Sequence, residues 1–289
     1  MELSAITRPS ETLSGQADSD QRVLDMWLHG KSEHTRRAYR ADVERFLSFA
    51  QKALSAVALG DVQAFSDSLA DLAASSRART LAAIKSLLSF SHRIGYAPFN
   101  VGAAVRLPSV KNRLAERILP ESDVHRLIAL EPNARNRVLV RLLYAGGLRV
   151  SEVCDLTWRD VRERGDAGQV TVYGKGGKTR HVLLSVDTWH ELAALRGGPN
   201  PDAPVFRSRK GGHLTPVQVL RIVRAGGHRA GIEEPVSPHW LRHAHASHAL
   251  DRGCPISLVQ ATLGHASVST TGKYLHARPG DSSARYLGL

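Results

Sequence analysis

The sequence is poor in aromatic side chains, which make up 6% of its 289 residues, and it holds two cysteines. Scarce rings mean cores built mainly from Leu, Val and Ala. Cys154 and Cys254 are too few for a disulfide framework, and their separation is not a zinc pattern. Both read as reduced residues within helices of a cytosolic protein. No run approaches the roughly 18 apolar residues of a membrane span. The first 20 residues are polar and lack the apolar centre of a secretory signal, so they read as a flexible tail. Acidic side chains are also in deficit, 27 against 39 basic ones, a net charge of +12. That excess points to a polyanion, with nucleic acid first, although a basic surface without a specific partner has the same composition.

What is present suffices for two domains. The length exceeds what one core usually serves, and 42% of the residues are hydrophobic. Residues 21–105 read as all-helical. Val23 to Leu28 open a first helix, Thr35 to Ala50 a second, Asp61 to Ala74 a third and Ser76 to Ile94 a fourth, stopped by Gly95 and Pro98. The second carries Arg36, Arg37 and Arg40, and the fourth Arg77, Arg79 and Lys85. A solvated polar face explains either helix alone, but two basic helices in one small bundle favour a DNA-facing surface. Residues 106–117 are basic and poor in large apolar groups. They read as a linker able to lie along a phosphate backbone, with Lys111 and Arg113 as contacts. A second domain opens at Leu119-Pro120-Glu121, and Arg135 to Ala145 is a buried-looking helix ended by Gly146-Gly147. Gln169–Tyr173 and His181–Ser185 alternate as strands do, and the glycine-lysine run between them makes a hairpin turn. Helices follow.

Four short segments carry chemistry. In Ser237-Pro238-His239-Trp240-Leu241-Arg242, Ser237 suits an N-cap and Pro238 a first helical position, which sets His239 and Arg242 on one face near a helix N-terminus. An amphipathic helix with a surface arginine is an equal reading of the hexapeptide alone. His243, His245 and His248 follow. His239 and His243 are one turn apart, but nothing completes a metal shell, and core packing suits at least one of these rings better. In Gly146-Gly147-Leu148-Arg149-Val150-Ser151-Glu152 a charge stands in an apolar stretch, so Arg149 is either functional or one half of a structural pair with Glu152. Lys175 and Lys178 lie in the hairpin turn, where a lysine either keeps the turn soluble or donates a proton to a leaving oxygen. Finally, Gly264 ends a Pro255–Leu263 helix, His265 occupies the turn, and Ser267 or Ser269 caps a short helix carrying Tyr274. Arginines match phosphate oxygens, and a phenol can attack phosphorus.

The segments AGGLRVSEVCDLTW (145–158), VYGKGGKTRHVLL (172–184), SPHWLRHAHASHAL (237–250) and LGHASVSTTGKYLH (263–276) stand in order, and together they resemble the tyrosine recombinase (phage integrase, Xer-type) family over residues 21–276. The resemblance implies a mainly α fold with a small β-sheet. It implies an N-terminal helical core-binding (SAM-like) domain at 21–105, a linker at 106–117, an α/β catalytic domain at 118–276, and a tail at 277–289 for protomer contacts. Tyr274 would attack the scissile phosphate to give a 3′-phosphotyrosyl bond, and Arg149 and Arg242 would bind its non-bridging oxygens. His239 and His265 would support them by hydrogen bonding and proton transfer, Lys175 would protonate the leaving 5′-oxygen, and Glu152 would buttress the arginines and histidines. Arg180 joins Lys178 among the expected DNA contacts. No metal or cofactor is expected. The implied partners are double-stranded DNA with an inverted-repeat core site and further copies of the chain, monomeric when free and tetrameric on synapsed DNA, with no membrane. The implied location is the cytoplasm, at the nucleoid. Two alternatives share the scaffold: a type IB topoisomerase-like nicking-closing enzyme, and a catalytically silent DNA-binding protein.

Overall fold

The computed structural model describes residues 17–110, 114–174 and 179–275. The chain divides into two compact units, residues 1–111 and 112–289, and each is described by itself.

Helices are the secondary structure of the N-terminal unit, with no strand among its described residues. It comprises α1 (Asp20–Leu28), α2 (Glu33–Ala50), α3 (Leu59–Ser68), α4 (Ala74–Arg93) and the short α5 (Val101–Ala104). Ser19 and Ser32 cap α1 and α2 by accepting from backbone N–H groups three residues on. Val23, Leu24, Trp27, Val43, Phe46, Phe65, Ile84 and Leu87 form the core. The Phe46 and Phe65 rings meet edge to face, with centroids 5.1 Å apart. Buried Asp42 accepts from Arg79 and Thr80, so a charge inside the bundle is fully paired. The third helix stops at Ser68, earlier than the pattern to Ala74 suggests, because Ala70 and Leu72 close turns onto the carbonyls of Asp67 and Leu69.

The C-terminal unit begins with a 3-10 turn (Ala115–Arg117), α6 (Glu121–Ala129), α7 (Ala134–Tyr144) and α8 (Val150–Asp155). A three-stranded antiparallel sheet follows in the order β1 (Val161–Arg164), β2 (Ala167–Tyr173), β3 (Thr179–Leu184). The first of these strands is not marked in the sequence, since only Val161 of its four residues is buried. Strand β2 pairs with β3 from Gly168↔Leu184 to Tyr173↔Thr179. The chain continues through α9 (Val186–Ala193), α10 (Pro216–Arg229), α11 (Pro238–Asp251), α12 (Ile256–Leu263) and α13 (Val268–Gly272). Leu139, Leu142 and Leu143 of α7 lie in one core with Val170 and Val182 of the sheet and Val219, Val223 and Leu241 of the later helices. A smaller cluster of Ala246, Leu250, Val259, Leu263 and Tyr274 lies between α11 and the last turns.

Three local expectations need correction. Cys254 lies in the loop before α12, not in a helix, because Gly253 adopts φ +80 and turns the chain. Ser237 holds the N-cap position of α11, but its side chain makes no capping bond. Tyr274 lies two residues beyond α13 rather than on it. Both cysteines are free, and no described helix is long and apolar enough to cross a membrane.

Candidate active site

Two glycine turns organise the site. At the end of α7, Gly147 adopts φ +57, and a Cβ there would stand 2.8 Å from Leu263 and 3.0 Å from His245. At the end of α12, Gly264 adopts φ +62 and is packed against Arg180. Glycine is required at both positions for conformation, and at Gly147 for space as well. The turns present their carbonyl oxygens to arginines. Arg242, 2% exposed, donates to Gly147 O and, at 2.5 Å, to Leu263 O. Arg149 donates to Gly264 O at 3.1 Å. Each guanidinium has five N–H donors, so neither is saturated by these contacts.

Glu152 ties the cations together. Its carboxylate accepts from the Arg149 backbone N–H and Nη1, both at 2.7 Å, and from Arg180 Nη1 and Nη2 at 2.8 and 2.7 Å. Burial by itself would raise the carboxyl pKa. The hydrogen bonds from Arg180 and Arg149 outweigh it and hold the group down at about 2. Arg180 also donates to Thr262 O at 2.7 Å. Two guanidiniums thus clamp one carboxylate, and with the charge of Arg242 added the pocket keeps an excess of positive charge. That excess shows in its neighbours. Burial lowers the Arg242 pKa to about 10, helped by the charge of Arg149, and leaves the side chain protonated at neutral pH. Burial and then the charges of Arg242 and Arg149 depress His239. His265 falls to about 4, again through burial first and those arginines next. The histidines are therefore neutral in the free protein.

Tyr274 lies beside them. It is 4% exposed, its ring lies parallel to His265 at a centroid distance of 6.4 Å, and its hydroxyl is 2.8 Å from His243 Nδ1. His265 Nδ1 is 2.9 Å from the hydroxyl of buried Thr271. Burial raises the phenol pKa, and the charge of Arg242 offsets part of that rise. The phenol stays protonated until something takes its proton.

The fold therefore brings together Arg149, Glu152, His239, Arg242, His265 and Tyr274, residues from segments more than 100 positions apart in sequence. Lys175 and Lys178, and likewise Lys111 and Arg113, lie outside the described residues. The other expected DNA-contacting residues differ in what their side chains already hold. Arg36 and Arg37 are exposed, each 3.9 Å from Glu33. Arg40 pairs with Asp25 at 2.8 Å, Arg79 is committed to Asp42, and Lys85 donates to Val105 O at 2.7 Å. The Nε of Arg77 is buried without a partner. Arg180 is turned inward onto Glu152, with its side chain 11% exposed, rather than outward to a ligand. Its signal was in the sequence: Arg180, Val182 and Leu184 alternate on one face of β3, the face that is buried. His243, set among core histidines by its sequence context, instead reaches the tyrosine. Its one-turn spacing from His239, with ring centroids 4.7 Å apart, was the available clue. Among the described residues no three His, Cys, Asp or Glu side chains gather as a metal site.

A family model for the phage integrase family matches residues 117–280, and one for the phage integrase N-terminal SAM-like domain matches residues 24–95. The chain belongs to the phage integrase family and is a tyrosine site-specific recombinase. It is 35% identical to the tyrosine recombinase XerC of Pelobacter propionicus, with 85% of each chain covered. It is 34% identical to the XerC of Xylella fastidiosa strain 9a5c, covering 86% of this chain and 87% of that one. Among solved structures, the XerA recombinase is 28% identical, with a TM-score of 0.51 and coverage of 93% and 96%. A lambda integrase dimer bound to a COC′ core site shares the fold at a TM-score of 0.73 and 18% identity, covering 91% of this chain and 95% of that one. These relatives are named recombinases and integrases, which favours recombination over a nicking-closing enzyme or a silent binder.

Proposed function

We propose that this recombinase binds double-stranded DNA at a core site with inverted repeats and cleaves it through Tyr274. The observation that carries the reading is the set of unsaturated guanidiniums of Arg149 and Arg242, fixed on the two glycine turns in the same pocket as the tyrosine. The phenolic oxygen attacks the scissile phosphorus, the phosphorus–O5′ bond breaks, and a 3′-phosphotyrosyl bond forms. Arg149 and Arg242 hold the non-bridging oxygens through donors already oriented before the substrate arrives. Neutral His239 and His265 add hydrogen bonds to that phosphate, and Glu152 with Arg180 keeps Arg149 in place. Lys175 is assigned the proton for the leaving 5′-oxygen. The phosphotyrosine conserves the energy of the phosphodiester, so rejoining to a new 5′-hydroxyl needs no nucleotide cofactor.

Four copies acting on two synapsed sites would exchange strands through a Holliday junction, with Arg36, Arg37 and the linker residues Lys111 and Arg113 tracking the backbone. The place of action would be the nucleoid in the cytoplasm, and residues 277–289 would join neighbouring protomers. The test is covalent trapping on a nicked duplex, whose lost 5′ fragment prevents rejoining. The parent gives a denaturant-resistant adduct mapped to Tyr274, and Tyr274→Phe binds the same duplex without one. An adduct that persists in Tyr274→Phe refutes the assignment.

A further inference from the structure

The nucleophile has a partner that the four sequence segments do not assign. The Tyr274 hydroxyl is 2.8 Å from Nδ1 of His243. Helix α11 brings this contact about. His239 and His243 are one turn apart on the same face, with ring centroids separated by 4.7 Å. The tyrosine ring lies against His243, with centroids 5.6 Å apart, and parallel to His265. At 4% exposure the phenol has little room for water. The one carboxylate among the arginines, Glu152, already accepts from Arg149 and Arg180. His265 Nδ1 is engaged with Thr271.

We propose that His243 is a catalytic residue that holds the Tyr274 hydroxyl and takes its proton during attack on the phosphate. The proposal rests on the phosphotyrosyl reading above. It requires the tautomer with hydrogen on Nε2, which leaves the Nδ1 lone pair facing the phenol. In the cleavage step the proton moves from Tyr274 Oη to His243 Nδ1 while Oη bonds to phosphorus. The phosphorus–O5′ bond breaks, and the leaving oxygen receives the proton assigned to Lys175. In rejoining, the 5′-hydroxyl attacks, the Oη–phosphorus bond breaks, and the imidazolium returns its proton to Tyr274.

The surroundings make this base conditional on substrate. The groups facing His243 are His239 and Arg242 from its own helix, Arg117 from the turn before α6, His265 from the turn after α12, and Tyr274 itself. Apart from the phenol, these are cations or become so on protonation. Burial first, and then these charges, hold the ring at about 4, so it is a neutral acceptor in the free protein. An anionic phosphate on Arg149 and Arg242 cancels part of the positive field and makes the imidazolium less costly when the nucleophile is needed. The same arrangement disfavours a phenolate in the absence of DNA.

Single-turnover cleavage of the nicked duplex by the full chain tests the proposal. His243→Asn keeps an acceptor oxygen near the Nδ1 position but cannot take up a proton. Cleavage is expected to fall about 100-fold, to rise log-linearly with pH, and to leave duplex binding and thermal melting close to the parent. His243→Ala should be rescued by added imidazole, with rates that follow the basicity of substituted imidazoles. Cleavage within threefold of the parent in His243→Asn overturns the assignment. A parent that forms no Tyr274 adduct overturns the phosphotyrosyl reading instead. Nitrogen-15 spectra of the parent's histidines give a check that needs no variant. An unprotonated Nδ1 on His243 in the free protein supports the role, and a protonated Nδ1 overturns it.

Discussion

Arginines of the N-terminal unit and of the C-terminal unit do opposite things with the same side chain. Arg36 and Arg37 on α2 have side chains 53% and 81% exposed, with Glu33 no nearer than 3.9 Å. Arg242 is 2% exposed and is held by two main-chain carbonyls, while Arg180 is clamped in a two-toothed pair with Glu152. An exposed guanidinium is mobile, hydrated and screened by salt, so it adds affinity to any phosphate backbone without fixing an atom. A buried one gives up solvation and keeps its donors aimed. Arg79 falls between them, tied to buried Asp42 with half its side chain still exposed. On the proposed reading, affinity and chemistry draw on differently supported arginines, and substitutions should separate the two.

The largest effect is expected at Arg242. Arg242→Lys replaces a planar fork by a point charge, and cleavage should slow by about 3 kcal/mol of transition-state stabilisation with duplex binding largely kept. Single-turnover rates within a few-fold of the parent would dissolve the distinction between the two kinds of arginine. Glu152 comes next. Its folded pKa of about 2 lies below the ordinary value of 4.5, so its stabilising contribution is complete above pH 4.5 and is lost as pH falls towards 2. The contribution is at most about 3 kcal/mol at neutral pH. Urea melts of Glu152→Gln should show lower stability at pH 7 and a smaller loss on acidification than the parent. His243, His245 and His265, each lowered to about 4, add an acid loss of the same sign in both proteins at higher pH, between 6.5 and 4.

Gly147→Ala is expected to cost about 1–2 kcal/mol for its left-handed backbone alone, more if Leu263 and His245 cannot shift. Because Gly147 O holds Arg242, cleavage should fall further than melting suggests; a variant that melts early but cleaves normally would detach that carbonyl from the site's geometry. The smallest effect belongs to the exposed pair. Replacing Arg36 and Arg37 by Ala should leave cleavage by saturating protein unchanged and reduce the slope of log affinity against log salt by about 2. An unchanged slope would remove them from the backbone contacts.

The sequence alone determined the helical character of the N-terminal unit, both glycine turns, the two strands flanking 175–178, and the six residues that meet in the pocket. The helices, turns and strands follow from local rules of apolar spacing, caps and left-handed glycines, whereas the six residues were gathered by the resemblance of four ordered segments to one family, each segment alone having left its reading open. Strand β1 was not legible, since pairing with β2 rather than its own pattern makes it a strand. The pairing of Arg180 with Glu152 and the contact of His243 with Tyr274 span 28 and 31 residues. Nothing local distinguishes an arginine turned inward onto a carboxylate from one turned outward to solvent, or a core histidine from one touching Tyr274. Only the packing of α8, β3, α11 and the last turns decided these, because burial, charge and the supply of free carbonyls at one point are sums over distant segments.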